Sequence, residues 1–275
     1  MKNFSFNQLL FFVAVCLGAA VLLRFVTQLQ APALAKQATS REAIDEVIRI
    51  DFEPPPDAPG EPKQSAPGGT RGKCKQSENS PDPTLTLLIP ASSQVRTIAE
   101  HPTFFVYVPS TSAQSGELVI KEKINPDETQ VIYQKIFPLT GIPGIASFTL
   151  PDHANKLEIG KNYQWSFALI CNSEDRSGDL VRFATIERTE ISPNLAKQLE
   201  NAKPIERAAL YAKNGIWPET LITLAELRRS QPENSSLKIM WEELLKSESV
   251  KLTDIAEEPL VECCKPQELN STTNQ

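Results

Sequence analysis

The spacing of apolar positions changes regime along the chain. An unbroken apolar run, Leu9 to Leu23, comes first; short alternating runs follow from about Thr84; from Ser192 onward apolar residues recur three and four apart. Alternation puts successive side chains on opposite faces of a strand, whereas the longer spacing gathers them on one side of a helix. The alternating region predicts strands at 84–89, 103–108, 117–124, 130–137, 145–150, 163–171 and 180–191, with Asn125-Pro126-Asp127 as a hairpin turn. Ser192 then caps a helix opening on Pro193, a second helix runs from Pro204 to Lys213 and stops at Asn214-Gly215, Pro218 opens a third, and Leu237, Trp241, Leu244 and Leu245 mark a fourth.

Seven short strands with no helical period between them favour a sandwich over a parallel sheet. Tyr163, Trp165, Phe167, Leu169 and Cys171 fall on one face of one strand, and Leu157-x-x-Gly160-x-x-Tyr163 resembles the tyrosine corner of immunoglobulin-like sandwiches. The middle helices resemble one tetratricopeptide unit, with Ala208, Tyr211, Gly215, Trp217, Leu224 and Pro232 at the repeat's spacing; Thr220 and Leu227 replace its small residues. A single unit cannot bury its own face, so it must pack on its neighbours. The expected class is α+β: an immunoglobulin-like antiparallel β-sandwich over 73–191, a helical tetratricopeptide-like region over 192–250, and a tail over 251–275.

The apolar run near the start reads as a secretory signal. Lys2 precedes it, Ala33-Leu34-Ala35 supplies a small-residue cleavage site, and fifteen apolar positions fall short of the about twenty that a spanning helix needs. Residues 1–35 are therefore expected to be removed and the protein exported to the periplasm or beyond; the alternative is an uncleaved leader anchoring it in the inner membrane. Residues 36–72 read as a disordered linker, because Pro54, Pro55, Pro56, Pro59, Pro62 and Pro67 lack backbone donors and Gly60, Gly68 and Gly69 resist ordering.

Charge narrows the partners. Loss of residues 1–35 takes away Lys2 and Arg24 and no acid, which leaves 26 basic against 34 acidic side chains. Nucleic acid is excluded on that balance, and a membrane contact is expected only through an uncleaved leader. Cys74, Cys171, Cys263 and Cys264 stay in the mature chain, and in an oxidising compartment they read as disulfide partners, with one structural bridge involving Cys171 preferred.

Catalytic signatures are sparse. His101 and His153 are the two histidines, His101 reading as a hydrogen-bonded turn residue; no nucleophile elbow or phosphate loop occurs, and no cofactor is implied. The most polar cluster, Asn172 to Asp179, carries Asp175, Arg176 and Asp179 and reads as a salt-bridged turn, with calcium binding as the alternative. Those three residues, with Tyr211 and Trp217 on the helices, are the candidate interaction residues.

Several segments together resemble the cyanobacterial family catalogued as domain of unknown function 928. They are Ala99 to Pro109, Gly160 to Trp165, Asp175 to Asp179, Leu210-Tyr211-Ala212, Gly215-Ile216-Trp217 and Leu224 to Arg229. The resemblance covers about residues 70 to 250. It implies an exported cyanobacterial protein and genomic company with adhesin-type secretion and signalling components, and it assigns no activity. The expected function is a non-enzymatic protein-binding or assembly module at the cell envelope, with partner and oligomeric state open. The alternatives are an envelope-polymer hydrolase using acids of the 172–179 loop, and a redox-responsive adhesion accessory using Cys263 or Cys264.

Overall fold

The structure, a computed structural model, describes residues 48–56, 84–91, 94–125 and 127–262. The leader, most of the expected linker, and Cys74, Cys263 and Cys264 lie outside the described residues.

Among the described residues, eight strands form two sheets. The smaller is antiparallel, in the order β1 (Thr86–Leu87), β3 (Thr103–Val108), β6 (Gly144–Thr149). The larger runs β2 (Gln94–Thr97), β8 (Leu180–Arg188), β7 (Asn162–Ile170), β4 (Ser115–Asn125), β5 (Glu128–Pro138). Its β2 pairs parallel to β8, so this sheet is mixed and corrects the expectation of a purely antiparallel arrangement. A parallel neighbour requires a long crossover, and the chain between β2 and β8 supplies it by building β3 to β7 on the way.

The sheets meet through aromatic rings. Phe104 of β3 lies 4.7 Å from Trp165 of β7, and Phe148 of β6 packs 4.9 Å from Phe167 of β7 and 5.0 Å from Phe137 of β5. Gly116 of β4 passes under Phe167, whose ring fills the place a β-carbon would take. β3 has no exposed face: all six of its residues are buried, because Phe104 points to the large sheet while Phe105 reaches Trp241 on the helical side, 6.2 Å away. A strand covered on both sides has no reason to alternate, which is why Phe104 to Val108 reads as a continuous apolar run.

Four helices follow: α1 (Pro193–Glu200), α2 (Pro204–Lys213), α3 (Trp217–Ser230) and α4 (Ser235–Lys246). Three of the starts are capped by a side chain. Ser192 Oγ accepts from Leu195 N at 3.2 Å, Glu206 Oε2 accepts from Lys203 N at 2.7 Å, and Asn234 Oδ1 accepts from Ser236 N at 3.1 Å. α2 and α3 pack through Ala208, Ala212, Leu221, Leu224 and Ala225, and Thr220 satisfies its buried hydroxyl on Ile216 O. Gly215, at φ +70°, makes the left-handed turn between them.

Two peripheral segments complete the body. Pro259 to Val261 runs beside β6, with Ile145 N donating to Pro259 O (2.7 Å) and Val261 N donating to Ile145 O (2.9 Å). The stretch expected to be a free tether is in part core: Ile50 and Phe52 are each 4 % exposed, and Phe52 meets Trp217 edge-on at 4.8 Å. Proline content dominated that expectation, but Ile48, Ile50 and Phe52 alternate and place two anchors on one side before the prolines begin.

Candidate functional site

The 172–179 loop is a short 3-10 turn (Arg176–Gly178) between β7 and β8 whose acids serve its own structure. Asp175 Oδ1 accepts from Ser177 N at 3.0 Å, and the Ser177 hydrogen bonds hold the Asp175 carboxyl below its usual range. Asp179 Oδ1 accepts from Cys171 N, and its other oxygen pairs with Arg176. Arg176 also reaches back to β4, donating to Glu117 Oε2 at 2.7 Å, while Gln134 of β5 donates to Glu117 Oε1. Burial pushes the Glu117 carboxyl up, yet the bonds from Arg176 and Gln134 outweigh it and leave the group below its usual range. Among the described residues no cluster of His, Cys, Asp and Glu could hold a metal ion.

Tyr211 and Trp217 belong to the interior. Trp217 is 1 % exposed and its Nε1 donates to Leu88 O at 2.7 Å, while the Tyr211 hydroxyl is met by Arg207 Nη2 at 3.3 Å. Trp217 therefore fixes α3 to the strand region, and within the fold its ring is covered by Phe52. Two residues on, Glu219 is buried in the first turn of α3. Its Oε1 accepts from Thr97 Oγ1 (2.6 Å), Ile98 N (2.9 Å) and Ala99 N (2.9 Å), and its Oε2 has no partner. Burial raises this carboxyl's pKa despite the hydrogen bond from Thr97.

A different surface is chemically open. A groove of about 320 Å³ lies between the end of α3, the start of α4 and the C-terminal segment, lined by Arg228, Arg229, Lys238, Asn234, Pro259 and Leu260 among others. No acid is among its lining residues. The Arg228 guanidinium sits 5.1 Å from the Trp241 ring centroid, and its Nη1 is buried without an acceptor. Burial lowers the Arg228 pKa, with Glu242 acting against it. Arg229 Nη2 donates to Ser147 Oγ at 3.1 Å, and Lys238 stands 3.8 Å from Glu242 on the next turn. Asn234 opens α4 here, so the positive end of that helix adds to the field of the three cations.

Sequence reasoning missed the groove because its cations come from two helices and its wall from residues 259 and 260. Arg228-Arg229 before Pro232 was visible as a basic helix end, which ordinarily serves the helix dipole alone. The long outer strand β5 is a poor alternative surface. Ile132 is skipped by the ladder at a bulge, and Lys135 sits opposite buried Leu118, two devices that discourage another strand from pairing.

Among the described residues two sheets, one antiparallel and one mixed, with four helices define an α+β protein. The chain belongs to the family described as Domain of Unknown Function (DUF928), whose model matches residues 66–260. No curated protein and no solved structure matches it. The docked segment around Phe52 lies ahead of the matched stretch.

Proposed function

We propose that the protein is an exported, non-enzymatic binding or assembly module of the cell envelope, and that it holds an acidic segment of a protein partner in the groove between α3 and α4. The single observation that carries this reading is a concave surface with Arg228, Arg229 and Lys238 on its walls and no acid among its lining residues, Glu242 meeting Lys238 from outside that lining. In a chain with net charge −6, such a surface stands out against its own background. Arginine forks match carboxylates in two-point geometry, and Pro232, Pro259 and Leu260 give apolar walls to the stem of an acidic side chain.

Export is supported by the leader pattern and by a set of four cysteines that an oxidising compartment would pair, Cys171 among them. Its Sγ lies 3.1 Å from Gly178 O at the mouth of the 172–179 loop, so a bridge there would brace the loop from its β7 side. The immunoglobulin-like reading of the sheets is supported by the Tyr163 corner, and the tetratricopeptide-like reading of α2 and α3 by the packing at Ala208, Gly215 and Leu224.

The test is recovery of partners from envelope fractions with the full chain and with a variant carrying Arg229→Glu and Lys238→Glu. A partner retained by the native groove, lost by the variant and released by salt supports the reading; equal recovery by both proteins refutes it. Circular dichroism confirms that the variant is folded.

A further inference from the structure

The helix pair already holds a peptide, and that peptide is part of the chain. Ile50 and Phe52 are buried, the Phe52 ring meets Trp217, Glu53 N donates to Ala212 O at 3.0 Å, and the Glu53 carbonyl and Pro55 press against Gly215. A β-carbon on Gly215 would stand 3.1 Å from both of them, so the glycine serves close approach of the segment as well as the turn. Pro54, Pro55 and Pro56 hold the residues before them in extended conformations, so the segment reaches the surface with little left to order.

We infer that the surface formed by Ala212, Gly215 and Trp217 is a recognition site for an Ile-x-Phe-Glu-Pro-Pro segment, and that a second copy of the chain supplies that segment by exchange. Among the described residues ahead of β1, these contacts fall in one short stretch, Ile50 to Pro55. Residues 57–83 separate it from β1 and carry Pro59, Pro62, Pro67, Pro81 and Pro83 with Gly60, Gly68, Gly69 and Gly72. A tether of that composition gives its cargo a local concentration in about the millimolar range. Exchange keeps every contact, Phe52 on Trp217 and Glu53 on Ala212 included, so closed and exchanged forms differ mainly in the entropy of the connecting stretch. This inference does not involve the cationic groove.

Two full-length variants separate the halves of the interaction. Phe52→Ala removes the anchor and leaves the surface; Gly215→Asn keeps the segment and blocks the surface, since asparagine accepts a positive φ while its side chain takes the space beside Glu53 and Pro55. By sedimentation each alone should be monomeric, and their mixture should give a one-to-one complex that an excess of synthetic peptide Arg49–Pro56 dissolves. A mixture that stays at monomer mass, association of Phe52→Ala alone, or a complex indifferent to the peptide overturns the inference. Should Gly215→Asn not fold, the labelled peptide is titrated into Phe52→Ala and into the native chain. Saturable binding about tenfold tighter to the variant, whose surface has no competitor in cis, supports the inference, and equal or absent binding overturns it.

Discussion

Thr97 and Glu219, 122 residues apart in the chain, share a 2.6 Å hydrogen bond inside the protein. It fastens the first turn of α3 to the end of β2, and the same carboxylate oxygen also collects the amide hydrogens of Ile98 and Ala99. Three donors on one oxygen and none on the other make this carboxyl sensitive to replacement and to pH.

Glu219→Ala removes the carboxylate acceptor from Thr97 Oγ1 and Ile98 N, leaves Ala99 N with Thr97 Oγ1 alone, and should cost about 3 kcal/mol, read by chemical denaturation. Glu219→Gln keeps the acceptor and should cost far less. Because burial raises the carboxyl's pKa in the fold, its contribution is fully present below its unfolded value near 4.5 and is lost as pH rises through the folded value. The Gln variant should therefore lose less stability than the native protein as pH is raised above 4.5. Parallel stability profiles for the two proteins over that window would refute this account.

Glu117 titrates in the opposite sense. Its folded pKa is depressed, so its contribution is present above the unfolded value and lost as pH falls through the folded one. Replacing it with Gln should flatten the acid limb below pH 4.5 and leave Arg176 with Asp179 as its one carboxylate partner, loosening the turn. Faster proteolysis within the 172–179 loop of the variant, with β8 unaffected, is the second readout.

Gly116→Ala drives a methyl into the tip of the Phe167 ring in the core. Overpacking of this kind should cost about 1–3 kcal/mol. Pairing it with Phe167→Leu should recover part of the loss, a coupling a double-mutant cycle measures.

Trp217→Phe retains most of the buried ring but strips the donor from Leu88 O and should cost about 1–3 kcal/mol. Tyr163→Phe removes the acceptor of the 2.9 Å bond from Glu158 N and should cost about 1 kcal/mol. Thermal unfolding with matched heat-capacity analysis ranks the two.

What the sequence discloses follows local physics closely. The row Tyr163, Trp165, Phe167 and Leu169 is buried on one face as its alternation requires, and the Tyr163 phenol meets the chain five residues upstream. Ser192, Pro204 and Gly215 mark helix limits because capping and turn chemistry act over three or four residues. β2 escaped notice, since Gln94 to Thr97 holds one strongly apolar residue and owes its place to a neighbour ninety residues away. Glu117 and Glu219 escaped for the same reason: an acid in a strand or a first helical turn is ordinary until its distant partner is known. The candidate interaction residues divided accordingly, with Trp217 and Tyr211 in the interior and Asp175, Arg176 and Asp179 closing a turn.

The run from Pro259 to Val261 closes the open side of β6, and Gly144 makes room for it: a β-carbon there would strike Val261 and the Pro259 carbonyl. Until those three residues dock, the outer rim of the small sheet is bare, a template for a strand of another molecule. The protein thus guards itself against unwanted association with a piece of chain that comes after all four helices.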